Sequence, residues 1–149
     1  MTERYFDDFE VGERFVSRGV TVSEGQMLDF ALAYDPQPFH IDKEAAGKSH
    51  YGGLIASGFQ TLALAWRMMA QENLMTACSM GSPGIDELRW LKPVRPGDTV
   101  HTEVVVTDKR PSDSKPDRGV LMMAYEMKNQ TGEAVLSFTL IHLVRRRPG

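Results

Sequence analysis

The sequence predicts an α+β domain in which an antiparallel sheet curls around one long buried helix. Three observations carry that prediction. Residues 57–72 read as a helix that is apolar on nearly every side. Residues 84–147 fall into four segments rich in β-branched and aromatic side chains. Short turns join those segments, and consecutive strands on short turns pair antiparallel. The chain has 149 residues, which suits a single domain spanning 1–149.

The elements follow in chain order. Residues 14–22 read as a first strand by their β-branched content. Ser23 and Gln26 have capping-box spacing at the head of a helix that places Met27, Phe30, Ala31 and Tyr34 on one face. Pro36 and Pro38 stop it, because a residue before proline disfavours the α region. Asp42 is placed to cap a short turn through Ala46, and Gly47, Gly52 and Gly53 mark a loop. Ser57 and Gln60 repeat the capping-box spacing before Leu62, Ala63, Leu64, Ala65, Trp66, Met68 and Met69. A helix apolar on nearly every side is a buried one. Strands follow near 84–92, 99–109, 119–128 and 133–146, separated by turn signals at Pro96-Gly97-Asp98, Pro111 to Asp117 and Asn129 to Gly132. A single sheet cannot cover such a helix fully, so a symmetric homodimer or a dimer of dimers is expected.

Composition excludes several classes. Hydrophobic residues make up 42% and charged residues 25%, an ordinary globular balance. Seventeen basic and 20 acidic residues leave a net charge of −3, which argues against nucleic acid as the partner. Cys78 is the sole cysteine, so neither an internal disulfide nor a cysteine metal site forms; it reads as a small buried hydrophobe, and a reducing cytoplasm suits it. The N-terminus has no apolar core of a signal peptide, and the 54–69 run is too short and too polar to span a membrane. The four histidines show no metal-ligand spacing, so no metal is expected; His101 and His142 read as structural and His50 as a surface residue. The nine methionines read as core filler, some near the central helix able to shape an acyl tunnel. Lys115 and Arg118 belong to a solvated loop. Dinucleotide, phosphate-loop, zinc-helix and nucleophile-elbow motifs are absent.

Two segments carry chemistry. In Tyr34-Asp35-Pro36-Gln37-Pro38-Phe39-His40 the prolines stiffen the backbone between a carboxylate and an imidazole. Such a pair can grip one water and move its protons near neutral pH. The alternative is that Asp35 ends the preceding helix and His40 is a hydrogen-bonded core residue. In Ala56-Ser57-Gly58-Phe59, a helix capped by Ser57 puts Gly58 at its first position. There the backbone N–H has no intrahelical acceptor, and the missing side chain lets a ligand oxygen approach. The alternative is a glycine that only allows tight packing.

The order and spacing of these segments resemble the MaoC-like dehydratases, the (R)-specific enoyl-CoA hydratases of the hotdog fold. Their signature runs Asp-x-Asn-Pro-hydrophobic-His, then a helix-opening Gly 18 residues after the His. Asp35, Pro38, Phe39, His40 and Gly58 match, as do the acidic Asp42 and the segment Leu91 to Thr99. The chain departs where the family's Asn is Gln37, where a frequent Gly is Tyr34, and where a helix serine of some members is Trp66. These changes bear on pocket shape and acyl preference. The resemblance implies reversible hydration of a trans-2-enoyl thioester to an (R)-3-hydroxyacyl product. Asp35 and His40 would activate water, Gly58 N–H would form the oxyanion hole, and Gln37, Phe39 and Ser57 would touch substrate. It implies no cofactor, the coenzyme A or acyl-carrier arm arriving with the substrate. A thioesterase on the same fold needs a carboxylate on or near the central helix, and that helix offers only Glu72 at its end. A non-catalytic thioester-binding domain is the remaining alternative.

Overall fold

The computed structural model describes residues 3–149. After a 3-10 turn at Phe6–Asp8 come β1 (Arg14–Val16) and β2 (Val20–Thr21), then α1 (Glu24–Tyr34), α2 (Pro38–Ile41), α3 (Lys43–Gly47) and the long α4 (Gly58–Ala70). The remainder is β3 (Gly84–Trp90), β4 (Thr99–Pro111), β5 (Arg118–Lys128) and β6 (Ala134–Arg145). The strands form one six-stranded antiparallel sheet in the order β1-β4-β5-β6-β3, with β2 also on β4. Alternate residues of the three long strands are buried, as period-two packing against one layer requires. A sheet wrapped on one helix is the hotdog arrangement.

Local chemistry explains the helix boundaries. Ser23 Oγ accepts from Gln26 N at 3.1 Å and Gln26 Oε1 accepts from Ser23 N at 3.1 Å, so the expected capping box forms. Asp42 caps α3 by accepting from the amides of Glu44 and Ala45. The helix α4 lays Thr61, Ala65, Met68 and Met69 on the sheet, and Thr102 Oγ1 donates to the Ala65 carbonyl at 3.3 Å.

Three expectations need correction. The 14–22 segment is two short strands, not one: Val16 pairs with Glu103 and Val20 with Val100, so four steps here span three on β4, and the extra residue makes a bulge. No capping box joins Ser57 to Gln60. Gln60 Nε2 instead donates to the Gln26 carbonyl, while Ser57 has another partner described below. The expected apolar face of α1 splits, with Met27 and Ala31 buried but Tyr34 outside. As expected of a single sheet, α4 is not covered all round in one chain. Phe59 and Ala63 are exposed and Trp66 is half-buried, because the sheet closes on one side only. Cys78 is buried as expected, and burial pushes its thiol up to about 11. Among the described residues no helix is long and apolar enough to cross a membrane.

Candidate active site

The two chemical segments meet at the N-terminus of α4. Asp35 ends α1, its amide donating to the Ala31 carbonyl, and Pro38 opens α2 at once, so only a short rigid link separates Asp35 from His40. His40 is 4% exposed. Its Nδ1 lies 2.9 Å from the Ile55 carbonyl, which can only accept, so Nδ1 carries the proton there. The other nitrogen, Nε2, faces Asp35 Oδ2 at 3.3 Å. Asp35 does end the helix and His40 is hydrogen-bonded in the core, and Nε2 and Oδ2 of the two side chains also face one another.

Three groups hold the Asp35 carboxylate. Ser57 Oγ donates to Oδ2 at 2.6 Å, Gln37 Nε2 donates to Oδ1 at 2.8 Å, and His40 stands beside them. The Ser57 hydrogen bond, then the Gln37 amide and the His40 charge, keep the carboxyl below its usual range, against the burial that raises it.

Asp35, Gln37 and His40 border a cleft of about 510 Å³ whose wall also includes Gly58, Tyr51, Trp90 and Lys92. Phe39 lines it too, its ring edge-on to His40 at 4.6 Å. Gln37 reaches the cleft but spends its amide on Asp35. Ser57, read from sequence as touching substrate, is wholly buried behind Asp35 and does not line the cleft. Its hydroxyl accepts from Phe59 N at 3.3 Å and donates to the carboxylate, so it positions Asp35 while capping α4.

Gly58 combines a free backbone N–H with tight packing. Its N–H has no acceptor among the described residues and stands at the positive end of the helix dipole. A Cβ at this position would lie 2.5 Å from the Trp90 indole, whose Nε1 donates to the Gly58 carbonyl at 2.9 Å. Sequence reasoning missed Trp90 and Tyr51. The only signal near Trp90 was the Leu91 to Thr99 segment that follows it. Glu72, the helix carboxylate that hydrolysis would require, is turned to Arg18 at 3.3 Å and does not line the cleft. His50, Lys115 and Arg118 also lie off the cleft wall.

Among solved structures, a MaoC-like dehydratase from Rhodospirillum rubrum shares 39% identity with this chain. The match covers 98% of this chain and 99% of that one with a TM-score of 0.91. An uncharacterised protein of Bacillus subtilis is 32% identical over 94% of this chain and 98% of its own length. A mesaconyl-CoA hydratase of Cereibacter sphaeroides is 30% identical over 97% of this chain, which spans 42% of that protein. The MaoC-like domain family matches residues 8–123, well over half of the sequence, and the chain belongs to that family.

Proposed function

We propose that this chain, acting as one domain, reversibly adds water across the double bond of a trans-2-enoyl thioester to give the (R)-3-hydroxyacyl thioester. The observation that carries the reading is the Asp35–His40 pair at 3.3 Å beside the free Gly58 N–H in one cleft. The family and the relative named a mesaconyl-CoA hydratase support the same class of reaction.

The steps follow from the atoms. With Nδ1–H held by the Ile55 carbonyl, the neutral form of His40 presents a lone pair at Nε2. That lone pair takes a proton from a water gripped between Nε2 and Asp35 as the water oxygen bonds to the β-carbon. The double-bond electrons move onto the thioester oxygen, where Gly58 N–H and the α4 dipole stabilise the developing charge. Asp35, held ionised, stabilises the imidazolium. The proton then passes from the pair to the α-carbon on the same face. Gln37 and Ser57 keep Asp35 in place, and Phe39 walls the substrate. The reaction so written needs no metal or redox cofactor, since coenzyme A or an acyl-carrier arm enters as part of the substrate. A homodimer is the proposed working unit, because the cleft rim residues Phe59, Trp90 and Leu91 are exposed large apolar side chains in one chain.

The test follows loss of the conjugated enoyl absorbance with short and medium trans-2-enoyl-CoA. The expected product reacts with an (R)-specific 3-hydroxyacyl-CoA dehydrogenase and not with an (S)-specific one. Asp35→Asn and His40→Ala are each expected to lower kcat/KM by at least about 100-fold. No loss of absorbance at any chain length with folded protein would overturn the reading. Release of free thiol would replace it with hydrolysis.

A further inference from the structure

Further along α4 lies a second cavity of about 290 Å³, walled by Leu62, Trp66, Ile85, Phe138, Leu140 and His142. It neighbours the cleft along two elements. Phe59 of the cleft and Leu62, Ala63 and Trp66 of the cavity follow one another on a single helical stripe. The edge strand β3 likewise contributes Trp90 to the cleft and Ile85 to the cavity. Gly58 and Trp66 are eight residues apart on α4, roughly 12 Å of helix.

The cavity is apolar except at one point inside. Ser79 and Ser82, at its mouth, bond backbone groups of their own turn. His142 is 2% exposed. Its Nε2 is 2.9 Å from the Tyr125 hydroxyl, and Tyr125 is stacked on Phe138 with ring centroids 4.7 Å apart. Burial pushes the His142 imidazole down to about 4 and the Tyr125 phenol up, so both are neutral at pH 7. The Tyr125 hydroxyl has no other acceptor among the described residues, so we take the phenol to donate to Nε2, which leaves the one imidazole hydrogen on Nδ1. No partner for Nδ1 exists among the described residues, while the one side-chain oxygen or nitrogen there that is both sealed and unpaired is Gln60 Oε1. Nδ1–H is therefore open to the cavity. A plain alkyl chain filling this space would seal it without an acceptor, a costly outcome for a buried donor. No lysine or arginine lines the cavity, so a charged group gains nothing here.

We propose that His142 hydrogen-bonds, through Nδ1, an uncharged oxygen on the distal part of the acyl chain. On this proposal, which rests on the hydratase reading, the substrate is an acyl thioester carrying a distal hydroxyl or carbonyl, not a simple alkyl chain.

The experiment compares matched trans-2-enoyl-CoA pairs of medium length, one ending in methyl and one in a hydroxyl or ketone. The kcat/KM ratio of oxygenated over alkyl substrate is expected to be at least about 10-fold in the natural chain. It is expected to collapse to about one in His142→Phe and to persist in part in His142→Asn, which keeps a donor near Nδ1. The readout is a ratio within each variant, so a general loss of activity cancels. The Kd values of the saturated acyl-CoA pair, followed by tryptophan fluorescence, give the same ratio without turnover. A ratio at or below one in the natural chain, or an unchanged ratio in His142→Phe, overturns the proposal. Failure of the hydratase reading shows differently: no enoyl-CoA of any length is hydrated, whatever the binding ratio.

Discussion

His40 and His142 are 4% and 2% exposed, yet their neighbours set them to different tasks. A backbone carbonyl holds Nδ1 of His40 and turns Nε2 toward a carboxylate. A phenol holds Nε2 of His142 in an otherwise apolar setting, and burial drives its pKa to about 4 from an ordinary 6.5. That shift has a consequence for stability. The unfolded chain protonates this imidazole below about pH 6.5, whereas the folded chain does not until about pH 4. Stability is therefore fully present above pH 6.5, falls on acidification through this window, and levels off below it. The loss from this group is of the order of 3 kcal/mol. Urea denaturation of the natural chain and His142→Phe between these pH values is expected to show the decline in the first and a flatter curve in the second. Asp35, whose carboxyl is held low, also contributes stability at high pH, but loses it in a more acidic window, as the pH falls below the usual carboxylate range. The sequence exposes His40 through its spacing to Asp35 and Gly58. It gives no sign of the Tyr125 that faces His142 from a neighbouring strand.

At the scale of the element, α4 is a scaffold that also carries the Gly58 N–H on which the proposed reaction depends. Its cap residue Ser57 joins the helix N-terminus to the end of α1, 22 residues earlier. Ser57→Ala should cost about 1 kcal/mol as a lost cap. It also removes the leading cause of the lowered Asp35 pKa, so that carboxyl rises. The acidic limb of the kcat/KM profile is accordingly expected to move to higher pH, measured against a Ser57→Thr control that keeps the hydroxyl. An unmoved limb would show that Asp35 ionisation does not govern the reaction. Helix boundaries at Ser23, Asp42 and Ser57 were legible because caps act over two or three residues. The break in the first strand was not, since the bulge at residues 17–19 depends on how β1 and β2 share β4.

At the scale of the molecule, one sheet leaves one side of α4 open. Phe59, Ile85, Trp90 and Leu91 are 61%, 40%, 49% and 50% exposed. The strand β3 ends the sheet with one edge unpaired, a surface that folded proteins ordinarily cover. Sedimentation velocity is expected to give a dimer at micromolar concentration. Ile85→Lys, which puts a charge into this patch, is expected to weaken association at least about 10-fold. A monomeric natural chain, or an unchanged Ile85→Lys dimer, would place the interface elsewhere. Sequence alone determined the α+β class, the four strands of the second half and the central helix, and it singled out Asp35, His40 and Gly58, which the fold brings to one cleft. Alternation, caps, proline stops and fixed spacings act over a few residues and survive without knowledge of the fold. Only the tertiary structure decided that Ser57 grips Asp35, that Trp90 lies on Gly58, that Tyr125 holds His142 over a cavity, and which face of α4 stands open. Each of these depends on groups brought together from 17 to 32 residues apart, or on how far one sheet can wrap. Register and packing set those distances, and no local pattern encodes them.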